Sequence, residues 1–436
     1  MKGEKFVIQG LGGRRVLEGD VEVRGAKNAV LKALAASVLF NDTVRFQNVP
    51  RIEDVLRAGD ILRALGADVT LEDGLPAQTG VPRAVTISKT FQTELPRDIA
   101  AKLRASIVFT GPILARFGKV SFPHPGGCVI GERPIDLFLS GFEKMGARIK
   151  NREKSYDITA DGGVLKGAEI FFRNQSVTAT ETLMMAAVLA HGKTVLLNAA
   201  REPEVESLAR FLNSCGANIE GAGTSAIVIK GTKPLSAGTR TYTTPPDRIE
   251  AGSFLILGAL AAKKLTIRNC DPSHVMSLIE TLRATGVSIQ TARDSIIVEG
   301  RGTRRSLRSV HVKTAEYPGF PTDIQAPMTI FLTQTNGRAM VFETIFEGRL
   351  GYVEDIIRMG ARIDVCDPHR VIIHGPTPLR GRELQGPDLR AGLAFVIAGI
   401  IAKGESVVHN VYNIDRGYER IEERLRGIGV DIQRIQ

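Results

Sequence analysis

No CxxC pair links the four cysteines Cys128, Cys215, Cys270 and Cys366, and no histidine stands at metal-ligand spacing from them. Neither a zinc-finger pattern nor a dithiol redox motif is therefore written into the chain. The opening residues, Met-Lys-Gly-Glu-Lys-Phe-Val-Ile, lack the apolar stretch of a signal peptide. The longest apolar run, around Ala391 to Ala402, is too short to span a bilayer. Low-complexity segments, long basic runs and aromatic stacking motifs are also missing, so an RNA-end cyclase or RNA-binding reading has little to rest on. These absences lead to the expectation of a cytoplasmic protein with free thiols, no metal, no membrane contact and no nucleic-acid partner.

What is present is a chain of 436 residues, 43% hydrophobic and 24% charged, as in an ordinary globular protein but too long for one core. The 57 Lys and Arg against 47 Asp and Glu give a net charge of +10, which suits an anionic partner.

A recurrent phrase organises the chain: an amphipathic stretch, a glycine, then a strand-like stretch. It reads Arg-Ala-Leu-Gly-Ala-Asp-Val around Gly66 and returns around Gly146, Gly216, Gly286, Gly360 and Gly429, at intervals of 69 to 80 residues. Before the first glycine, Val55, Ala58, Ile61, Leu62 and Leu65 share a helical face, and the glycine suits a C-terminal cap. Each unit holds a second helix that is apolar all round and so belongs in an interior: Ala29–Phe40, Arg104–Ala115, Ala179–Ala190, Ala251–Ala262, Asp323–Leu332 and Arg390–Ala402. The expected plan is α/β: six repeats of buried helix, strand, covering helix and strand, three to a domain. The seam falls at Thr244-Pro-Pro-Asp-Arg248, where two prolines disfavour continuous structure.

Polar residues gather at the starts of the buried helices: Lys27 and Asn28, Arg104, Ser176 and Thr178, Arg248, Asp323, and Asp388 with Arg390. Helix N-termini attract anions. Ser176, Thr178 and Asp388 suit capping as well as ligand contact. Lys27, Arg104 and Arg390 do not suit capping, since a cation opposes the dipole there. The loop Pro123-His-Pro-Gly-Gly-Cys-Val-Ile-Gly-Glu-Arg-Pro-Ile-Asp136 carries Cys128, either a structural cysteine or a thiol activated by Arg133. His124 reads as structural or solvent-facing. The other three cysteines read as core or surface thiols.

At these residues the sequence resembles the enolpyruvyl transferases, and among them the UDP-N-acetylglucosamine 1-carboxyvinyltransferase family. The likeness runs nearly end to end, through Gly25-Ala-Lys-Asn-Ala29, Leu103-Arg-Ala-Ser-Ile107, Pro125–Asp136, Phe320-Pro-Thr-Asp-Ile-Gln325, Glu343-Thr-Ile-Phe-Glu-Gly-Arg349, Asp388-Leu-Arg390 and Asp415-Arg-Gly-Tyr-Glu-Arg420. It implies a two-domain inside-out α/β barrel, with 1–26 and 246–436 in one domain, 27–245 in the other, and the active site in the cleft between them. It implies transfer of the enolpyruvyl group of phosphoenolpyruvate to the 3-hydroxyl of UDP-N-acetylglucosamine, the first committed step of peptidoglycan precursor synthesis, without a cofactor.

By position, the resemblance makes Lys27, Asn28, Arg133, Arg349, Arg390 and Arg416 the phosphoenolpyruvate cradle, with Lys27 and Arg416 also catalytic. It makes Arg104, the backbone of Arg133, Pro134, Ile135, Asp136 and Leu137, the segment Ser176, Val177 and Thr178, and also Asp323 and Ile345, contacts of the UDP-sugar. Cys128 is similar to the family's loop thiol that protonates the methylene carbon, and Asp323 to its base for the sugar hydroxyl. One departure stands out: where the family shows Ser-Val-Gly-Ala-Thr, this chain has Thr178 in the glycine position, with Arg173 nearby. The shikimate-pathway transferase shares the repeat plan and lacks a loop cysteine of this kind.

Overall fold

Helices apolar on every side can be placed only in an interior. Six such helices fill that role in the computed structural model, which describes residues 3–71, 85–88, 92–100, 103–124, 135–300 and 307–436. They are Lys27–Ala36, Thr110–Phe117, Val177–Val188, Arg248–Ala261, Gln325–Leu332 and Leu389–Ile401. Cys128, Arg133 and Pro134 lie outside the described residues.

Two of the helices differ from the sequence reading. Arg104–Ala115 and Asp323–Leu332 are expected as continuous helices. Instead, Arg104–Phe109 and Thr322–Ile324 are 3-10 turns that run into α-helices beginning at Thr110 and Gln325. Proline supplies the reason. Pro112 and Pro327 are each third in their helix, where the missing N–H has no intrahelical partner to lose. Further back, the α-helical bond from that position could not form, so the preceding turn winds differently.

The covering helices are Glu53–Ala64, Asp136–Lys144, Pro203–Ser214, Met276–Ala284, Val353–Arg358 and Ile421–Gly427. The first buries Val55, Ala58, Ile61 and Leu62 on one face. Shortly after each comes its glycine, at φ of +83° to +108°. An L side chain in that region costs about 1–2 kcal/mol. At five of the six the following N–H closes back on the helix, as in Ala67 to the Leu62 carbonyl at 2.9 Å and Ala217 to that of Leu212 at 3.0 Å. This is the Schellman arrangement that ends a helix and turns the chain into a strand.

Residues 3–24 with 246–436 form one compact unit, and the described residues from 25 to 245 form the other. In the first unit the three buried helices pack on one another, with three four-stranded sheets outside them. Ala262–Arg268 pairs antiparallel with Ser295–Glu299 and parallel with Leu17–Glu22. Gly337–Phe342 pairs antiparallel with Arg370–Gly375 and parallel with Val312–Lys313. Lys403–His409 runs parallel to Glu383–Gln385 and antiparallel to Lys5–Leu11, which is itself flanked by Ile432–Ile435. The register sets Phe6 against Val408 and Ile8 against Ile432.

The second unit has two four-stranded sheets of the same plan and a three-stranded one, Lys119–Pro123, Ala147–Asn151 and Ser155–Ala160. Beside the latter, Glu94 and Ser121 make a single parallel bridge where the other sheets have a strand. Helix Thr110–Phe117 crosses Val177–Val188 at Gly111, where a Cβ would lie 2.3 Å from the Thr182 carbonyl oxygen, so only glycine permits this approach.

Four of the strands that follow a buried helix end on an asparagine with positive φ: Asn48, Asn198, Asn269 and Asn410. Each side-chain amide donates to the carbonyl just past the parallel neighbour strand: Thr244 at 2.8 Å, Phe172 at 2.8 Å, Val23 at 2.7 Å and Gly386 at 3.3 Å. Asparagine tolerates this conformation better than most residues and satisfies a carbonyl at the same time. Among the described residues no helix is long and apolar enough to cross a membrane.

Candidate active site

In the first unit, three of the residues picked out in the sequence meet. Asp323 sits in the Thr322–Ile324 turn, Arg349 follows the strand Gly337–Phe342, and Arg390 is the second residue of helix Leu389–Ile401. Arg349 Nη1 donates to Asp323 Oδ1 at 2.8 Å and to Thr322 Oγ1 at 2.8 Å. Arg390 reaches Asp323 Oδ2 with Nε at 3.2 Å and Nη2 at 3.0 Å, and donates from Nη1 to the Tyr418 hydroxyl at 2.9 Å. Both guanidiniums are buried, whereas the Asp323 side chain keeps 24% of its surface open. The carboxylate is thus the part of the cluster that an incoming molecule can touch.

Burial works against the Arg390 charge. Tyr418, Asp323 and Asp247 more than offset it, and the guanidinium is held above its ordinary range. Burial pushes the Tyr418 hydroxyl and the Asp247 carboxyl up. Asp247 and Asp388 are the N-caps of their helices. Asp388 Oδ1 accepts from Arg390 N at 2.7 Å and from Ala391 N at 3.1 Å, so capping is what the structure gives Asp388. Arg416 follows the short helix Val411–Asp415, whose Asp415 carboxylate is gripped at both oxygens by Arg434, at 2.8 and 2.7 Å. The Ile345 N–H is turned inward, donating to the buried Glu343 carboxylate at 2.9 Å.

In the second unit, Lys27 opens its helix with no side-chain cap, and its charge is met by Asp54 at 2.6 Å, both groups buried. Just before it, the backbone at Gly25 passes so close to the Asn48 carbonyl that a Cβ would stand 1.8 Å from the oxygen. Asn28 is half-buried one residue on, and its carbonyl accepts from Lys32 Nζ at 2.7 Å. Arg104, half-buried, begins its 3-10 turn. Ser176 Oγ caps helix Val177–Val188 through the Ala179 N–H at 3.2 Å. Thr178 lies inside that helix without positive φ, so the backbone there does not require glycine. Arg173 pairs with Asp136, which joins the Ile135-Asp136-Leu137 segment to the turn preceding Val177. His124 hydrogen-bonds Asn151 at 2.9 Å and packs on Tyr156.

Sequence reasoning assigned no part to Asp54, Tyr418, Thr322 or Glu343. Thr322, Tyr418 and Glu343 lie inside the motifs that carry the resemblance, and the signal available was their place in the fold. Nothing beyond an acidic first turn marked Asp54.

Behind Lys27 and Asn28, Lys32 pairs with the fully buried Glu181 at 3.0 Å. Burial, offset in part by Lys32, pushes the Glu181 carboxyl up to about 7. A carboxyl raised on folding contributes stability that is complete below its unfolded value, near 4.5, and is lost as pH rises through its folded value. Relative to the wild type, Glu181→Gln should therefore gain on the order of 1–3 kcal/mol between pH 4.5 and 8. Denaturant melts of both proteins across that range check this, and parallel pH curves would refute it.

A sequence profile described as EPSP synthase (3-phosphoshikimate 1-carboxyvinyltransferase) matches residues 12–425. The chain is 44% identical over 432 residues to the UDP-N-acetylglucosamine 1-carboxyvinyltransferase of Koribacter versatilis (strain Ellin345), covering 99% of this chain and 96% of that one. It is 41% identical over 433 residues to the protein of that name from Klebsiella pneumoniae (strain 342), covering 99% of each. Among solved structures it superposes on the enolpyruvyl transferase NikO from Streptomyces tendae with a TM-score of 0.85, at 25% identity over 99% of this chain and 98% of that one. It superposes on an EPSP synthase from Acinetobacter baumannii with a TM-score of 0.73 at 19% identity, a likeness of fold.

Proposed function

Because this chain belongs to the UDP-N-acetylglucosamine 1-carboxyvinyltransferase family, we propose that it moves the enolpyruvyl group of phosphoenolpyruvate onto the 3-hydroxyl of UDP-N-acetylglucosamine, releasing phosphate. It is a transferase, and its place would be the start of peptidoglycan precursor synthesis in the cytoplasm. The observation that carries the site assignment is the partly exposed Asp323 carboxylate held between two buried arginines.

In this reading Lys27, Asn28, Arg133, Arg349, Arg390 and Arg416 cradle phosphoenolpyruvate, a small polyanion that needs several cations. Arg104, the Arg133–Leu137 backbone, Ser176, Val177, Thr178, Asp323 and Ile345 hold the UDP-sugar. Asp323 takes the proton of the 3-hydroxyl as its oxygen bonds to C2 of phosphoenolpyruvate, and the Cys128 thiol gives a proton to C3. The Cys128 thiolate then takes a proton back from C3 while phosphate leaves C2 with the proton held by Asp323, which restores both groups and the double bond, now as an enol ether. The arginines stabilise the charge that builds on the phosphate and carboxylate.

Phosphate release from phosphoenolpyruvate tests this directly. Release is expected with UDP-N-acetylglucosamine and not with shikimate 3-phosphate, and the opposite pattern would reverse the assignment. The full-length relatives at 41% and 44% identity support the UDP-sugar. The likeness to EPSP synthase at 19% speaks only of fold.

A further inference from the structure

The fifth repeat breaks a rule that four others keep. Where those repeats end the strand on a left-handed asparagine, strand Gly337–Phe342 ends on Glu343, which has no positive φ and no exposed surface. The structural duty of the missing asparagine has passed to its neighbour. The Thr344 hydroxyl donates to the Thr314 carbonyl at 2.7 Å, and Thr314 is the residue just past the parallel strand Val312–Lys313. The Thr314 carbonyl is thus satisfied without the Glu343 side chain, yet an acid is kept buried there, which is costly unless fully hydrogen-bonded.

It is well supplied with donors. Oε1 accepts from the Thr314 hydroxyl at 3.1 Å, from Ile345 N at 2.9 Å and from Phe346 N at 3.3 Å, while Oε2 accepts from the Thr322 hydroxyl at 2.9 Å. The Thr322 bond fixes the polarity of the hydrogen bonds beyond it. A hydroxyl has one proton. With that proton committed to Glu343, Thr322 Oγ1 can offer Arg349 only lone pairs, and Arg349 Nη1 donates to it at 2.8 Å and to Asp323 at 2.8 Å. The chain Glu343, Thr322, Arg349, Asp323 thus has each donor and acceptor fixed.

We infer that Glu343, acting through Thr322, is a positioning residue for Arg349 and Asp323 and, through the Ile345 N–H, for the backbone assigned to the UDP-sugar. This rests on the functional reading above. Without the Glu343 acceptor the Thr322 proton is free to turn toward Arg349, and two donors then face each other. The guanidinium shifts, and the geometry shared by Arg349 and Asp323 is lost.

Steady-state phosphate release by the full chain decides it. Thr322→Val keeps the shape of the side chain and removes the hydroxyl. It should lower kcat/KM for phosphoenolpyruvate on the order of 10- to 100-fold, the scale of a small misplacement at a reacting centre. Glu343→Gln should move the same way, and Thr322→Ser, which restores the hydroxyl, should recover most of the loss. A purely structural role would not distinguish serine from valine once both proteins melt alike. Should the valine disturb folding, Thr322→Ala against Thr322→Ser gives the same comparison. Valine or alanine variants that match the wild type, or a serine variant as poor as they are, would overturn the inference. A wild-type protein releasing no phosphate with the UDP-sugar would overturn the functional reading instead.

Discussion

Asp323→Asn should lose turnover by about 10²- to 10⁴-fold, the usual weight of a general base, while UDP-N-acetylglucosamine still binds. Both oxygens of Asp323 accept from arginine, Oδ1 from Arg349 and Oδ2 from Arg390. A carboxylate has about four lone-pair sites, so it can hold those bonds and still take a hydroxyl proton. An asparagine cannot accept that proton, and its NH2 would point at one of the guanidiniums. Removing the negative charge also takes from two buried cations the carboxylate they share, so phosphoenolpyruvate binding should be kept or tightened even as chemistry stops. Titration calorimetry for each substrate, beside phosphate release, separates the two effects. Near-normal turnover would remove Asp323 from the role of base.

A second large effect is expected at a thiol. Of the four cysteines, Cys128 alone should be modified by the epoxide phosphonate fosfomycin, an anion shaped like phosphoenolpyruvate. Thiolate opens the epoxide and thiol does not. Cys215 and Cys270 are buried, which pushes the Cys215 thiol up and the Cys270 thiol up to about 12. Cys366 is exposed on strand Arg362–Asp367 and serves as the internal control, reachable but with no cationic cradle assigned to it. Intact mass should show one adduct, and peptide mapping should place it between Pro125 and Arg133. Excess phosphoenolpyruvate, competing for the same cations, should slow it. Labelling at Cys366, or at several thiols, would mean that exposure rather than the cradle decides, and Cys128 would then leave the mechanism.

The parts of the fold legible in the sequence were those set by local rules. Period and composition separate the buried helices from the covering ones, and the six glycines announce left-handed turns that the backbone then adopts. Proline content was legible too, but its consequence at Pro112 and Pro327 depends on position within the helix, and that was misjudged by about one turn. At the site, residue types at helix starts singled out Asp323 and Arg390, and the family resemblance added Arg349, but neither said how the three face one another. Arg390 meets Asp323 across 67 positions of sequence, and Lys27 meets Asp54 across the rest of its own helix, a 3-10 turn and a strand. Such pairs are made by the packing of one helix on another, within a repeat for Lys27 and Asp54 and between repeats for Arg390 and Asp323, which local periodicity does not show. For Ser176 and Asp388, where the sequence suits capping as well as ligand contact, the local geometry shows both side chains capping their helices.

Lys5–Leu11 lies between Lys403–His409 and Ile432–Ile435, so the sheet that holds the first strand needs the last residues of the chain. On a ribosome, the unit built from residues 25 to 245 is continuous in sequence and can form as soon as it has emerged. The other unit must wait with its opening strands, Lys5–Leu11 and Leu17–Glu22, unpaired until partners some 240 to 430 residues later are made. Contacts so distant in sequence fold slowly, and an apolar edge left open in the interval invites pairing with another nascent chain. The arrangement that closes the finished unit thus makes its N-terminal strands the most vulnerable segment during synthesis, and the half carrying Asp323, Arg349 and Arg390 the last to become competent.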